Sequence, residues 1–132
     1  MRLLLDTHVL LWALGAPGRL SPAVRAEIED ATNEVLYSAA SIWEIAIKAG
    51  LGRADFVNDP ALIERGARQA GFIELPVAAR HAVAVYGLPP HHNDPFDRLL
   101  LAQALVEPAW LYTADKQLAR YDGPLRHLTP LT

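Results

Sequence analysis

The sequence predicts an α/β protein, a three-layer α/β/α sandwich around a central parallel sheet, and three observations carry that prediction. Short apolar runs of strand length recur along the chain at Arg2 to Leu5, Glu34 to Ser38, Phe72 to Leu75 and Ala109 to Thr113. They are largely continuous rather than alternating, as expected of strands covered on both faces. Between them lie longer stretches with helical spacing, punctuated by Gly and Pro, and such βα alternation builds a parallel sheet between helices. No repeat, low-complexity tract or charge block interrupts residues 1–132, which read as one domain.

Each element has a local reason. Arg2 to Leu5 is the first strand, and the first helix takes Thr7 to about Leu14, stopped by Gly15-Ala16-Pro17-Gly18. Ser21-Pro22 opens the next helix as N-cap and N1, running to about Ala31. After the strand at Glu34 to Ser38, Ser41 to Leu51 reads as a helix with Ile42, Ile45, Ala46 and Ala49 as its apolar stripe. Gly50 and Gly52 end it. Asp59-Pro60 starts a helix that closes at Gly71, ahead of the third strand, and Val77 to Tyr86 is helical with Gly87 as its stop. Asp94-Pro95 begins a helix through Leu105. The strand from Ala109 to Thr113 leads into a short helix from Asp115 to Tyr121, and Leu125 to Leu128 reads as a fifth, edge strand.

Composition narrows the classes. The chain has no cysteine, which removes disulfides, thiolate metal sites and thiol catalysis. Its longest apolar run, Val9 to Leu14, is far shorter than the roughly 20 residues of a membrane span. Met1 leads straight into a strand without the features of a signal peptide, so the cytoplasm is the expected location. A formal charge of −3 argues against a protein that coats nucleic acid. It leaves a nuclease open, because setting aside the four acids discussed next turns −3 into +1. Most of the basic residues are Arg, which suits forked phosphate contacts, although genome base composition explains an Arg excess equally well.

Those acids are Asp6, Glu44, Asp97 and Asp115, each just before or just inside a predicted helix. In right-handed βαβ units, strand C-termini and helix N-termini share one sheet edge, so all four are expected to face one crevice. Singly, each has a structural explanation. Ser41-x-x-Glu44 matches a capping box, Asp94 and Asp97 fit N-cap and N3 of one helix, and Asp6 and Asp115 sit where caps belong. Jointly, four carboxylates in one crevice repel each other at a cost of several kcal/mol unless a cation or protons neutralise them. Helix dipoles, worth about 0.3–1 kcal/mol each, offset only part of that. An oxygen-only donor set favours Mg²⁺ or Mn²⁺.

Other polar and aromatic residues weigh less. His91-His92 has the look of a zinc pair, but neighbouring loop residues seldom point the same way, and a merely polar loop is the expectation. His8 belongs at the rim of the crevice. Thr7, Ser41 and Thr113 place hydroxyls near the acids, where orienting water and capping a helix are equally good roles. Trp12, Trp43 and Trp110 read as core or interface residues.

Four blocks, in order and spanning nearly the whole chain, resemble the signatures of PIN-domain ribonucleases, and among them the VapC-like toxins of type II toxin–antitoxin modules. They are Leu3-Leu4-Leu5-Asp6-Thr7-His8-Val9-Leu10-Leu11-Trp12, Ser41-Ile42-Trp43-Glu44-Ile45, Asp94-Pro95-Phe96-Asp97-Arg98-Leu99-Leu100-Leu101-Ala102-Gln103-Ala104 and Thr113-Ala114-Asp115. The resemblance implies a PIN-like fold and a Mg²⁺- or Mn²⁺-dependent endoribonuclease with RNA as substrate. It also implies a homodimer, held inactive by a cognate small antitoxin protein. The family's acidic quartet carries over onto Asp6, Glu44, Asp97 and Asp115 as catalytic residues and metal ligands, with Glu44 acting through water or on the nucleophile. Asp94 is an additional acid of this pattern, expected to cap its helix or support the ligands from behind. Arg98 is a candidate phosphate clamp. An antitoxin would place an Arg or Lys in the acid cluster and a helix against Leu11, Trp12 and the Ile42 to Ile47 segment.

The alternative is a Mg²⁺-dependent phosphatase or phospho-acceptor domain with Asp6 as nucleophile. The haloacid-dehalogenase pattern wants a second Asp where this chain has His8, and a receiver domain wants a Lys in a setting that Lys116, directly after Asp115, matches poorly. A binding module whose acids only cap helices is the non-enzymatic reading.

Overall fold

In the computed structural model, which describes residues 1–52 and 58–131, five parallel strands form one sheet in the order β3-β2-β1-β4-β5. The strands are β1 (Arg2–Leu5), β2 (Glu34–Ser38), β3 (Ile73–Leu75), β4 (Trp110–Thr113) and β5 (Leu125–His127). The helices are α1 (Thr7–Gly15), α2 (Pro22–Glu29), α3 (Ala39–Gly50), α4 (Pro60–Gln69), α5 (Ala79–Val85) and α6 (Pro95–Val106). Short 3-10 turns lie at Pro17–Arg19 and Leu118–Arg120.

β1 is the centre of the sheet, with Leu5 level with Tyr37 of β2 on one side and Tyr112 of β4 on the other. Its three leucines are fully buried and alternate between layers. Leu3 and Leu5 pack with Val9, Leu10, Val24 and Ile28 of α1 and α2, while Leu4 packs with Leu100, Leu101 and Ala104 of α6. Each such side chain contributes about 1.5–3 kcal/mol of burial, which is why a run with no polar alternation is stable here. α5 and α6 pack together, and α3 contacts α1, α4 and α6. Among the described residues no helix is long and apolar enough to cross a membrane.

The three-layer expectation and all five strands are borne out, with two local corrections. α3 starts at Ala39, not Ser41, because the Ser38 hydroxyl at the end of β2 accepts the Ala40 N–H at 3.0 Å and caps the helix first. The predicted Ser41/Glu44 capping box therefore does not form, and Glu44 sits in the second turn rather than the first. The helix expected from Asp115 to Tyr121 shrinks to a 3-10 turn, since Gly123-Pro124 leaves too few residues to offset nucleation. Of the tryptophans read as core or interface, Trp43 and Trp110 are 62% and 45% exposed, which leaves them the interface reading.

Candidate metal centre

Strand ends and helix starts bring Asp6, Glu44, Asp97 and Asp115 into one open crevice of about 380 Å³. Asp6 follows β1 and caps α1, its Oδ1 accepting the Val9 N–H at 2.8 Å. Its own N–H donates to Tyr112 O at 3.0 Å, tying the acid to β4. The residue is buried, and desolvation raises its carboxyl pKa despite hydrogen bonds from the Thr113 side chain and the Val9 backbone. Thr113 serves both neighbours, since its hydroxyl also accepts the Asp115 N–H at 3.0 Å.

Asp97 lies in the first turn of α6, where Asp94 is the N-cap and accepts the Phe96 and Asp97 N–H groups at 2.8 and 3.2 Å. Burial, then the nearby Asp94 charge, pushes the Asp97 carboxyl up to about 7, against a hydrogen bond from His92 that lowers it. Asp6 and Asp115 add to the rise. Asp115 goes the other way. Burial raises it, but the Gln117 and Leu118 N–H groups at 2.7 and 3.3 Å and the His92 ring outweigh that and hold it below the ordinary range. Neighbouring carboxylates are thus set apart, one reluctant to ionise and one ready to.

Glu44 is buried on the inner face of α3. The Thr7 hydroxyl donates to its Oε1 at 2.6 Å, and Lys48 Nζ stands 2.9 Å from its Oε2. Ser41 Oγ completes the cluster 3.1 Å from Thr7. Of these hydroxyls Thr7 both orients a carboxylate and lines the crevice.

The geometry alone does not name a family; the sequence comparison does. The PIN domain profile matches residues 3–124. The chain belongs to the PIN-domain family. A curated relative, Ribonuclease VapC22 of Mycobacterium tuberculosis, is 35% identical over 133 aligned positions that cover 98% of this chain and 95% of the relative. The PIN fold is also shared with a crystal structure of VapBC2 from Rickettsia felis bound to a promoter DNA fragment, at a TM-score of 0.70 and 13% identity over 98% of this chain and all of that one. A domain of a functionally unknown protein from Methanocaldococcus jannaschii superposes at a TM-score of 0.61 with 15% identity over 99% of this chain and 93% of that one.

Two residues of this PIN domain have roles other than those expected from sequence. His92 is a member of the cluster, its Nε2 lying 2.8 Å from Asp97 Oδ2 and 3.2 Å from Asp115 Oδ2. The Asp94 N–H points at its Nδ1 from 3.4 Å, which leaves the proton on Nε2 and makes the ring a donor to both acids. His91 turns away to meet the Tyr121 ring edge-on at 5.0 Å, so the two histidines do diverge as expected of loop neighbours. Spacing held the clue to His92: it lies two residues ahead of the α6 N-cap, within reach of the first turn.

Arg98 is the second correction. Its guanidinium donates to the carbonyls of Val85, Leu88, Pro89 and His92 and to the Tyr121 hydroxyl, at 3.0–3.4 Å. Those bonds consume the fork that a phosphate would need. Arg98 staples the loop carrying His92 to α6. His8 is exposed at the crevice rim, as expected.

Proposed function

We propose that this PIN domain is a Mg²⁺- or Mn²⁺-dependent endoribonuclease, the toxin of a toxin–antitoxin module, with Asp6, Glu44, Asp97 and Asp115 as its metal ligands and catalytic residues. The observation that carries the proposal is the convergence of four carboxylates, drawn from positions 6 to 115, in one crevice. The relative with ribonuclease in its name supports it. Carboxylate oxygens without thiolate fit a hard divalent cation, and their mutual repulsion is what a cation would relieve.

When bound, the cation supplies neutralisation of the phosphate and polarisation of the attacked bond. The chain's own groups do the rest. Asp115 favours its charged form and would be the standing anion of the pair, whereas Asp97, whose pKa burial and the neighbouring acids raise, would hold a cation only in its ionised form. Glu44 is held in one orientation by Thr7 and Lys48 and would serve to position an attacking water. Asp6, buried at the end of β1, forms part of the floor of the crevice.

A cognate antitoxin and a homodimer complete the proposal. The crevice attracts an Arg or Lys as readily as a metal. Exposed Trp43 and Ile47 of α3, with Leu11 and Trp12 partly exposed on α1, offer apolar area to a partner helix.

The purified protein should cut RNA with Mg²⁺ or Mn²⁺ and stop on addition of chelator. Asp97→Asn and Asp6→Asn should lower the rate at least a hundredfold, in the range of other essential electrostatic groups, without unfolding the protein. Wild-type cleavage by Asp97→Asn sinks the assignment, and hydrolysis of phosphate monoesters with no RNA cleavage moves it to the phosphatase reading. Co-expression of an adjacent small reading frame should restore growth.

A further inference from the structure

Beside the acid crevice lies a second cavity of about 240 Å³, and the two share Trp12 and Pro130 as their common wall. Its character is opposite. Where the first is lined by carboxylates, the second presents Arg19, Arg126 and His127 beside the apolar Leu20 and Val24. The Arg19 guanidinium carbon stands 4.8 Å over the Trp12 ring, and the His8 ring is 6.0 Å from Trp12 at a tilt of 41°. His8, Trp12 and Arg19 thus form a ladder of flat groups leading from the rim of the acid crevice into the cationic cavity.

The ladder is held in place by local structure. Trp12 lies six residues along α1 from Asp6, about 9 Å of helix rise. Helical side chains lean toward the N-terminus of their helix, so the indole tilts back toward the acids. Arg19 ends the 3-10 turn that follows α1, and its carbonyl accepts the Leu131 N–H at 2.8 Å, which fixes the backbone beneath it. Arg126 is engaged by Glu27 at 3.0 Å, whereas Arg19 is exposed and in no ion pair with an acid among the described residues.

We infer that this cavity is a subsite for single-stranded RNA, taking the nucleotide next to the phosphate held at the acid crevice. The base stacks on the Trp12–Arg19 pair, and Arg19 meets the adjoining phosphate. This rests on the ribonuclease reading of the crevice and deepens it. Stacking platforms with cationic flanks are how proteins hold single strands without reading their sequence, because every base has a π-face and every link a phosphate. A strand needs such a foothold here, since a crevice with four carboxylates repels the phosphates it must receive.

The test uses binding rather than cleavage: a short labelled single-stranded RNA is titrated in chelator, by anisotropy, across a range of salt. Arg19→Glu should weaken binding about tenfold and lower the salt slope by about 0.7, the contribution of one phosphate contact. Trp12→Leu should weaken binding about tenfold with the slope unchanged, as loss of stacking does. Arg19 is exposed, so Arg19→Glu leaves the fold intact and decides the matter even if Trp12→Leu loosens the core. Absence of RNA binding by the intact protein, or wild-type affinity and slope in Arg19→Glu, overturns the subsite. The two readings separate cleanly. Binding that depends on Arg19 without any cleavage keeps the subsite and loses the nuclease, and cleavage indifferent to Arg19 does the reverse.

Discussion

His92 Nε2 stands between Asp97 Oδ2 and Asp115 Oδ2, at 2.8 and 3.2 Å, so one N–H bridges two carboxylates that would otherwise repel. A cation held by those oxygens without the ring would displace that bridge. Replacing His92 by Ala should therefore raise Mn²⁺ affinity about three- to tenfold by calorimetry, the worth of one or two net hydrogen bonds. A fall in affinity instead would make the imidazole a metal ligand.

In the same direction as buried Asp6, Asp97 adds a pH-dependent contribution to the stability of the metal-free protein. Its folded pKa of about 7 lies above the ordinary 3.8, so the folded state holds the proton more tightly than the unfolded chain. Stability from this group is complete below about pH 4 and is lost as pH rises toward 7. The melting temperature in chelator should fall across that window, and saturating Mn²⁺ should flatten the fall. Asp97→Asn should melt higher at neutral pH, by about 4 °C for each kcal/mol of repulsion relieved. A pH-independent melting temperature in chelator would falsify the repulsive cluster.

Thr7 tests how far catalysis depends on aiming Glu44. Thr7→Val keeps the side-chain volume of this buried residue but removes the 2.6 Å hydrogen bond to Glu44 Oε1. Bonds to charged groups contribute about 1.5–3 kcal/mol, so cleavage should drop about ten- to a hundredfold. Thr7→Ser should recover most of it. Equal rates in the two variants count against a positioning role.

Arg98 distinguishes a staple from a phosphate clamp. Arg98→Met strands several loop carbonyls, and Arg98→Lys supplies only a point charge where a fork is used. Both variants should lose about 1–3 kcal/mol by denaturant unfolding, as expected of a broken, part-buried network. The salt dependence of RNA binding should not change. A reduced salt slope with unchanged stability would restore the clamp.

The layers were legible because the apolar runs are continuous: Leu3, Leu4 and Leu5 alternate between two helical layers, and only a strand covered on both faces tolerates that. The acid crevice was legible for a topological reason, since parallel order places every strand end and helix start on one edge. What stayed hidden depends on side-chain direction. Ser38 outcompetes Ser41 for the α3 cap because it comes first at the end of β2, a one-turn shift that periodicity does not resolve. His92 and Arg98 sit in or beside a loop rich in Pro, where no period assigns a direction, and the hydrogen bonds of the loop itself decide it.

Asp6 follows the first strand, whereas Tyr112, Thr113 and Asp115 belong to the fourth strand and the turn beyond it. The anions of β1 and β4 meet only when those strands pair, although β2 and β3 precede β4 in the chain. A chain growing on the ribosome consequently carries Asp6 and Glu44 without the acids that face them across the crevice until α6, β4 and the turn beyond it have been made.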